Sequence, residues 1–554
     1  MALLASVTSS GARFWRSKHV LLTSPSRTLS IFCQGKPISR EDIFKFTGGR
    51  FLVREKEACD HRYLKFDLDQ LCAVVASTGS KSPVRTIEKE ESGCCKVLLM
   101  TKEDGSELVA KLPFSYAGPP KYMTASEAAV MQFVHDHTEV PVPKLLTWSA
   151  DASNPVGAEY VIMEKAAGCR LSKKWAKMDL EIKFKFIANL AELEAKLAGV
   201  DFPAYGSLYL KESLDDGEKY EPLAPEIDPD GRFCIGPSCE REWFHKEDTE
   251  AIEARFDRGP WLTLPAFGNA VADREIARIE LNPKPDVPFG PPRGSIEEQL
   301  HVLEMAKTLY SRSDPDPHSG NLAFQTLWHP DLHMENIYVS DEDPTKISSI
   351  IDWQYCVIAP LFSQARFPAL LEVDYDDYRY GSEIPKPQFP ENFHELDEDD
   401  QNAARSKAEM QILAKVYEQF SGYDMRRALR VPWFFPSLFN RCGSTWQRGA
   451  VPLRPCLIRT AQYWTEMGWA GDCPFKFSED YLEKSKKEVE EYQDYIDTRR
   501  GIMKLMHTTS EGWFPPDIDF EEVQKMTKEL REKFIEFGIK EGVSRDEIEA
   551  IWPF

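Results

Sequence analysis

The chain has 554 residues, 42% of them hydrophobic and 12% aromatic, a composition that buries a core and is not that of a disordered protein. Its net charge of −22 excludes a nucleic-acid binder held by a basic surface. No apolar run reaches the ~18 residues of a membrane span, and twelve cysteines without repeated CxxC pairs point to buried thiols in a reducing compartment, not to a zinc site.

The N-terminus departs from this acidic average. Residues 1–40 hold Arg13, Arg16, Lys18, Arg27, Lys36 and Arg40 among many serines, with no Asp or Glu, which is the composition of a mitochondrial transit peptide. On a helix, Phe14, Val20, Leu21 and Leu22 form a face opposite Arg13 and Lys18, and Arg27-Thr28-Leu29-Ser30 resembles a matrix-protease cleavage site. Residues 41–83 are expected to be a helical extension, with Leu64, Leu68, Leu71, Val74 and Val75 at helical spacing before the breaker Thr78-Gly79-Ser80.

The pattern then changes. Residues 84–90, 96–100 and 107–113 read as three antiparallel strands, the last two joined by a turn at Asp104-Gly105. Thr124 or Ser126 caps a helix with Ala129, Val130, Phe133 and Val134 inward, and two more strands follow at 144–148 and 159–164. Residues 84–165 thus predict β-β-β-α-β-β, a small lobe. Leu180, Phe184, Ile187, Leu190, Leu193 and Leu197 predict a helix over 178–198 that ends at Gly199. Residues 200–294, rich in Pro, Gly and Trp, show no assignable period and are taken as an insertion in a larger, mostly helical lobe over 166–475, with Trp243 and Trp261 as core. The stretch 372–400 carries eleven acidic residues and is expected to be a solvated loop, or an attractor for a cationic substrate. Helices over 476–554 are expected to pack on the larger lobe, the last opening with the capping box Ser544-Arg545-Asp546-Glu547.

The chemistry concentrates in LWHPDLHMENIYV, residues 327–339. Asp331 and Asn336 lie five apart, and Asp352 follows in Ile350-Ile351-Asp352-Trp353-Gln354. If residues 337–340 and 347–351 pair as a hairpin, Asn336 at its start and Asp352 at its end become neighbours. An amide oxygen beside a carboxylate suits Mg²⁺, which takes few protein ligands and completes its shell with phosphate and water. Asp331 then stands nearby to accept a proton. That is the layout of phosphoryl transfer. His329, Asp331 and His333 also alternate, so an extended strand would place all three on one face as transition-metal ligands. The competing reading makes His329 a buried scaffold that hydrogen-bonds backbone near Asp352, and His333 a loop residue or a substrate neighbour.

His-Pro-Asp-Leu-His-x-x-Asn resembles the catalytic loop of the kinase-like fold in the form found in aminoglycoside phosphotransferases and choline kinases. The likeness spans roughly residues 84–370. The chain resembles more closely the fungal altered-inheritance-of-mitochondria protein nine family. That likeness takes in the basic leader, Phe46-Thr47-Gly48-Gly49-Arg50, Gly206-Ser207-Leu208-Tyr209, Gly259-Pro260-Trp261 and Ile-Ile-Asp-Trp-Gln. The resemblance implies an α+β, protein-kinase-like fold of two lobes: an antiparallel N-lobe sheet with one main helix, and a larger helical C-lobe. It implies a mitochondrial, ATP- or GTP-dependent transferase that phosphorylates a small-molecule hydroxyl. In it Lys111 pairs the nucleotide phosphates, Glu127 holds Lys111, Gly93 lies in the phosphate-covering loop, and Glu164 meets adenine through its backbone. Asp331 is the base, and Asn336 and Asp352 hold Mg²⁺. Two departures stand out. The loop at Glu91-Ser92-Gly93-Cys94-Cys95-Lys96 has one glycine, and Gln354 stands where related phosphotransferases often carry glutamate, which removes a group for a second metal ion. No Walker-type phosphate loop is present. These departures support a second reading, a nucleotide-binding regulator of mitochondrial maintenance that kept the fold and lost transfer.

Overall fold

The computed structural model describes residues 29–554 apart from 286, 313–321, 372, 374–377, 382–388, 391, 468 and 470. Most of the expected leader, residues 1–28, lies outside the described residues, as does much of the acidic stretch 372–400. The rest of the leader span belongs to the sheet. Ser30–Cys33 (β1) runs parallel to the first strand of the expected small lobe, with Ile31 buried opposite Ile87, and turns back through Lys36–Pro37 (β2). A leader ending at residue 40 therefore overlaps an element of the fold. Arg50–Phe51 (β3), Glu55–His61 (α1) and Leu68–Ser77 (α2) complete the extension. Asp67 caps α2 by accepting the Gln70 N–H at 2.9 Å, and Leu68, Leu71 and Val75 turn into the sheet's core, which is the stripe their spacing predicts.

Val84–Glu91 (β4), Cys95–Lys102 (β5), Glu107–Pro113 (β6), Tyr122–His137 (α3), Leu145–Ser149 (β7) and Tyr160–Glu164 (β8) follow in the predicted order. The sheet runs β2-β1-β4-β5-β6-β8-β7, antiparallel apart from the β1–β4 pair. Alternating burial along β5, with Leu98 and Met100 inside, fixes its face. The larger lobe begins with Cys169–Arg170 (β9), Ser172–Trp175 (α4) and Leu180–Ala198 (α5).

Ser207–Leu210 (β10), Glu221–Pro222 (β11) and Phe233–Gly236 (β12) form a sheet in the order β10-β12-β11, and Glu250–Glu253 (α6) leads into Leu264–Leu281 (α7). Residues 200–294 are more than an insertion: α7 packs on Ile296–Tyr310 (α8) and builds the lobe's second apolar core, which also holds Trp243 and Trp261. The helix is buried on most sides, Arg274, Glu275 and Arg278 included, so it shows no clean polar face to read as a period. At Gly268 a Cβ would stand 2.5 Å from the Tyr310 ring, so only glycine lets the two helices close.

Gln325–Leu327 (β13), Ile337–Val339 (β14), Ile347–Ile350 (β15), Ile358–Pro360 (β16) and Leu361–Gln364 (α9) carry the central hairpin and its supports. β14 pairs with both β15 and β9, and β13 with β16. Then come Glu398–Phe420 (α10), Gly422–Leu429 (α11), Phe434–Cys442 (α12), Thr445–Arg448 (α13), Arg454–Gln462 (α14) and Glu479–Leu505 (α15). Trp513–Phe514 (β17 once β16 is counted), Phe520–Lys540 (α16) and Arg545–Ile551 (α17) close the chain, α17 opening on the predicted capping box. The C-terminal segment rests on more than the larger lobe. Buried Arg454 pairs with Glu298 and with Glu488 of α15, while β17 pairs antiparallel with β3 and Glu511 meets Arg62 at 2.8 Å. The molecule is an α+β, kinase-like fold with two lobes, in which the extension before β4 is tied to the C-terminal segment.

Candidate active site

The hairpin β14–β15 organises the site. Ile337 lies opposite Ile350, and the Ile351 N–H donates to the Asn336 carbonyl at 3.0 Å, so Asn336 and Asp352 leave adjacent strand ends. Asn336 is buried; its Nδ2 donates to the Asp331 carbonyl at 2.9 Å, which leaves Oδ1 as the atom that could ligate a metal. His333 Nε2 lies 3.2 Å from Asn336 Nδ2 and 3.4 Å from Asp331 Oδ2. The Asp331 carboxylate is 67% exposed and open to a substrate.

His329 sits beneath this loop as a scaffold. Its Nε2 donates to the Ile351 carbonyl at 3.0 Å, its Nδ1 accepts the Asp331 N–H at 3.2 Å, and its ring meets Trp353 edge-on at 4.9 Å. Both nitrogens are engaged, and burial lowers its pKa, so the ring is neutral. Asp352 is held at φ 70°, a left-handed backbone that costs a non-glycine residue on the order of 1–3 kcal/mol and is tolerated where surroundings enforce it. Those surroundings include the His329 bond to Ile351 and the Trp353 Nε1–H bond to the Ile350 carbonyl at 2.9 Å.

Across the cleft, Lys111 of β6 donates to Glu127 Oε1 of α3 and to Asp352 Oδ1, both at 2.6 Å. One ammonium thus joins both lobes. Burial works against its charge, but Asp352 and Glu127 outweigh that and hold its pKa well above the ordinary lysine value. Burial likewise opposes ionisation of Asp352, and Lys111 overcomes it, leaving the pKa lowered. For Glu127 burial prevails over Lys111 and the pKa is raised. The donor set fits a hard divalent ion: Asn336 Oδ1 and the second oxygen of Asp352 are both available, and both are oxygen.

Gly93 lies exposed in the β4–β5 turn, where the Tyr116 hydroxyl donates to its carbonyl. Glu164 ends β8, exposed, with its N–H bonded to the Lys144 carbonyl at 3.0 Å. Its amide is therefore taken, and the chain turns toward the larger lobe just beyond it. At Gly168 (φ 82°) a Cβ would lie 2.1 Å from the Val339 carbonyl, so this crossing needs glycine.

Sequence spacing did not reveal several neighbours. Arg241 bridges the lobes: Nε donates to the Ala117 carbonyl at 2.6 Å, and Nη2 to Tyr355 Oη at 2.6 Å and Cys94 Sγ at 3.0 Å. A cavity of about 590 Å³ opens beside the loop that carries Asp331, bounded by Trp328, Pro330 and Tyr355 on one side and by α7, α12 and α13 on the other. Its lining comes from segments more than 100 residues apart, which no local motif signals.

Residues 96–363 match the model of the phosphotransferase enzyme family. The chain is 29% identical over 510 residues to a subtelomeric hrmA-associated cluster protein of Aspergillus fumigatus, covering 84% of this chain and 95% of that one. It is 23% identical over 550 residues to altered inheritance of mitochondria protein 9, mitochondrial, of Yarrowia lipolytica, covering 92% and 90%. Among solved structures, a putative aminoglycoside phosphotransferase from Ralstonia eutropha aligns at TM-score 0.36 and 14% identity, over 77% of this chain and 96% of that one. Lys111, Glu127, Asp331, Asn336 and Asp352 all fall inside the span that is similar to the phosphotransferase enzyme family.

Proposed function

We propose that this protein transfers the γ-phosphoryl group of ATP or GTP to a hydroxyl of a small molecule bound beside Asp331. The observation that carries this is the bridge from Lys111 to both Glu127 and Asp352, placed across the cleft from an open aspartate on the catalytic loop. Lys111 would orient the nucleotide phosphates, and Glu127 would keep it aimed. The backbone beyond Glu164 would meet the base, and the turn at Gly93 would cover the phosphates with few freely rotating amides. Asn336 and Asp352 would hold Mg²⁺, which when bound offsets phosphate charge. Asp331 would orient the acceptor and take its proton as the new oxygen–phosphorus bond forms and the bond to the departing ADP or GDP breaks.

The mitochondrial setting rests on the basic, acid-free composition of residues 1–40 and on relatives named as mitochondrial. Because β1 starts at Ser30, cleavage near Arg27-Thr28-Leu29-Ser30 would preserve the sheet, whereas cleavage at residue 40 would remove a strand.

The second reading, a binding regulator without transfer, is favoured by the single glycine of the 91–96 turn and by Gln354, which is buried with no partner for its Oε1 among the described residues. One experiment separates the two. Nucleotide binding is measured by thermal shift with and without Mg²⁺, and labelled phosphate transfer is screened over a metabolite library with Asp331→Asn as the blank. Transfer lowered in that variant by on the order of 10²–10⁴, with nucleotide binding unchanged, is the expected result. Binding with no transfer to any acceptor would favour the regulator, and equal transfer by the variant would remove Asp331 as the base.

A further inference from the structure

We propose that the acceptor carries an anionic group, a carboxylate or a phosphate, recognised by Arg441 and Arg448 in the cavity beside the catalytic loop. The inference rests on the phosphotransferase reading and deepens it.

Four arginines line the cavity: Arg274, Arg366, Arg441 and Arg448. Two are already committed. Arg274 donates to Glu275 Oε1 at 3.0 Å and to the Gly443 carbonyl at 2.8 Å, and Arg366 donates to the Pro330 carbonyl. Arg441, at the end of α12, and Arg448, at the end of α13, have no ion-pair or side-chain hydrogen-bond partner among the described residues. The lining carboxylates do not balance them. Glu240 accepts from Ser238 Oγ at 3.0 Å, and burial, with Glu242 nearby, raises its pKa toward the neutral acid. Glu242 is left against Arg366, Arg441 and Arg448. In a chain of net charge −22, a cationic surplus inside a cavity runs against the average and calls for a negative ligand.

The geometry also joins this wall to the chemistry. Arg366 grips the carbonyl of the residue before Asp331, and Trp328, three residues before it, forms the apolar side with Phe267 and Phe439. A hydroxyl at Asp331 would leave the remainder of a small molecule lying over these rings with its anionic end toward α12 and α13. Ser437 and Asn440 of α12 and Ser444, just before α13, supply neutral polar atoms to the same wall. A polycationic acceptor would be repelled here, whatever the acidic stretch 372–400 attracts at a distance.

The test compares four six-carbon polyols that differ in charge: gluconate, glucose 6-phosphate, sorbitol and glucosamine. Binding to the full chain is followed by calorimetry, and MgATP binding is measured on the same preparations. Expected is that at least one of the two anions binds about tenfold or more tightly than sorbitol and glucosamine. The two anions distinguish a carboxylate site from a phosphate site. Arg441→Gln/Arg448→Gln should abolish that preference without altering MgATP binding; both side chains are unpartnered and at least partly exposed, so the fold is retained. Lys111→Ala should leave the preference intact, which separates this cavity from the nucleotide site. Equal binding of all four, preference for glucosamine, binding of neither anion, or an unaltered preference in the double variant overturns the inference. Failure of the phosphotransferase reading has a different signature: no MgATP binding while the anion preference persists.

Discussion

At the residue scale, substitution of Lys111 tests stability and the proposed nucleotide recognition separately. Its ammonium neutralises Glu127, whose side chain is 5% exposed, and Asp352, which is 26% exposed. Removing one partner from a buried pair leaves the other desolvated and unpaired, typically at a cost of ~3–5 kcal/mol. Glu127 can limit that cost by taking up a proton, because burial already raises its pKa. Lys111→Met should therefore lower stability in denaturant titrations by ~3 kcal/mol or somewhat less, and should abolish MgATP binding. Adding Glu127→Leu should restore much of the stability but none of the nucleotide binding. Recovery of binding in the double variant would show that Lys111 does not touch phosphate. These residues were legible from the sequence because Lys111, Asp331 and Asn336 stand in short motifs on predictable elements. Arg241 was not, since its partners come from elsewhere in the chain, and neither were Arg441 and Arg448, since the cavity they line is assembled by tertiary packing.

At the element scale, the small lobe was legible in full order because β-strands with one buried face print an alternation and Asp104-Gly105 prints a turn. The hairpin β14–β15 was equally plain. The helix α7 was not, since a helix buried on most sides lacks the polar stripe that reveals the period. The helix α5 carries something its apolar stripe hides. Glu194 is buried against α10, where the Tyr417 hydroxyl donates to its Oε2 at 2.8 Å, and with Leu193 and Leu197 it faces Trp328, His329 and Leu332 under the catalytic loop. Burial, only partly offset by Tyr417 and Arg366, pushes its pKa from 4.5 to about 8. The folded state thus holds a proton that the unfolded chain releases above pH 4.5. The stability this group contributes is full below its unfolded pKa and is lost as pH rises to about 8, by up to a few kcal/mol at ~1.4 kcal/mol per unit. Glu194→Gln keeps an acceptor for Tyr417 but does not titrate, so its Tm should gain on the wild type as pH is raised from 5 to 8. Parallel Tm profiles for the two proteins over that range would mean that Glu194 is not protonated in the fold.

At the scale of the whole molecule, the extension before β4 and the C-terminal segment meet behind the turn that contains Gly93. Within the extension, the Thr47 N–H and hydroxyl donate to Glu91 Oε2 at 2.7 and 3.0 Å, and buried Lys89 donates to the carbonyls of Asp42 and Lys45. Glu91 ends β4 at the turn that contains Gly93, so the extension braces a loop too poor in glycine to shape itself. Two residues further, Gly49 lies against the C-terminal strand: a Cβ there would stand 2.1 Å from Trp513 Nε1 and 2.5 Å from the Phe514 carbonyl. Both are fixed, the first by a ring and the second by backbone paired with β3, so Gly49→Ala must push the strands apart. Overpacking of this kind costs ~1–3 kcal/mol. Arg62, buried over the Phe51 ring at 4.6 Å and paired with Glu511, loses its alignment in the same movement. Gly49→Ala should therefore expose α15 to α17 to limited proteolysis and weaken MgATP binding several-fold, although Gly49 is not among the hydrogen-bond partners of Lys111 or Asp352. Gly35→Ala is the control, because its Cβ would meet nothing within 4 Å and its φ of 70° strains only a local turn. If Gly49→Ala opened the C-terminal segment but left MgATP binding at the wild-type value, the brace at Glu91 would hold independently of the chain ends, and the extension would serve stability alone.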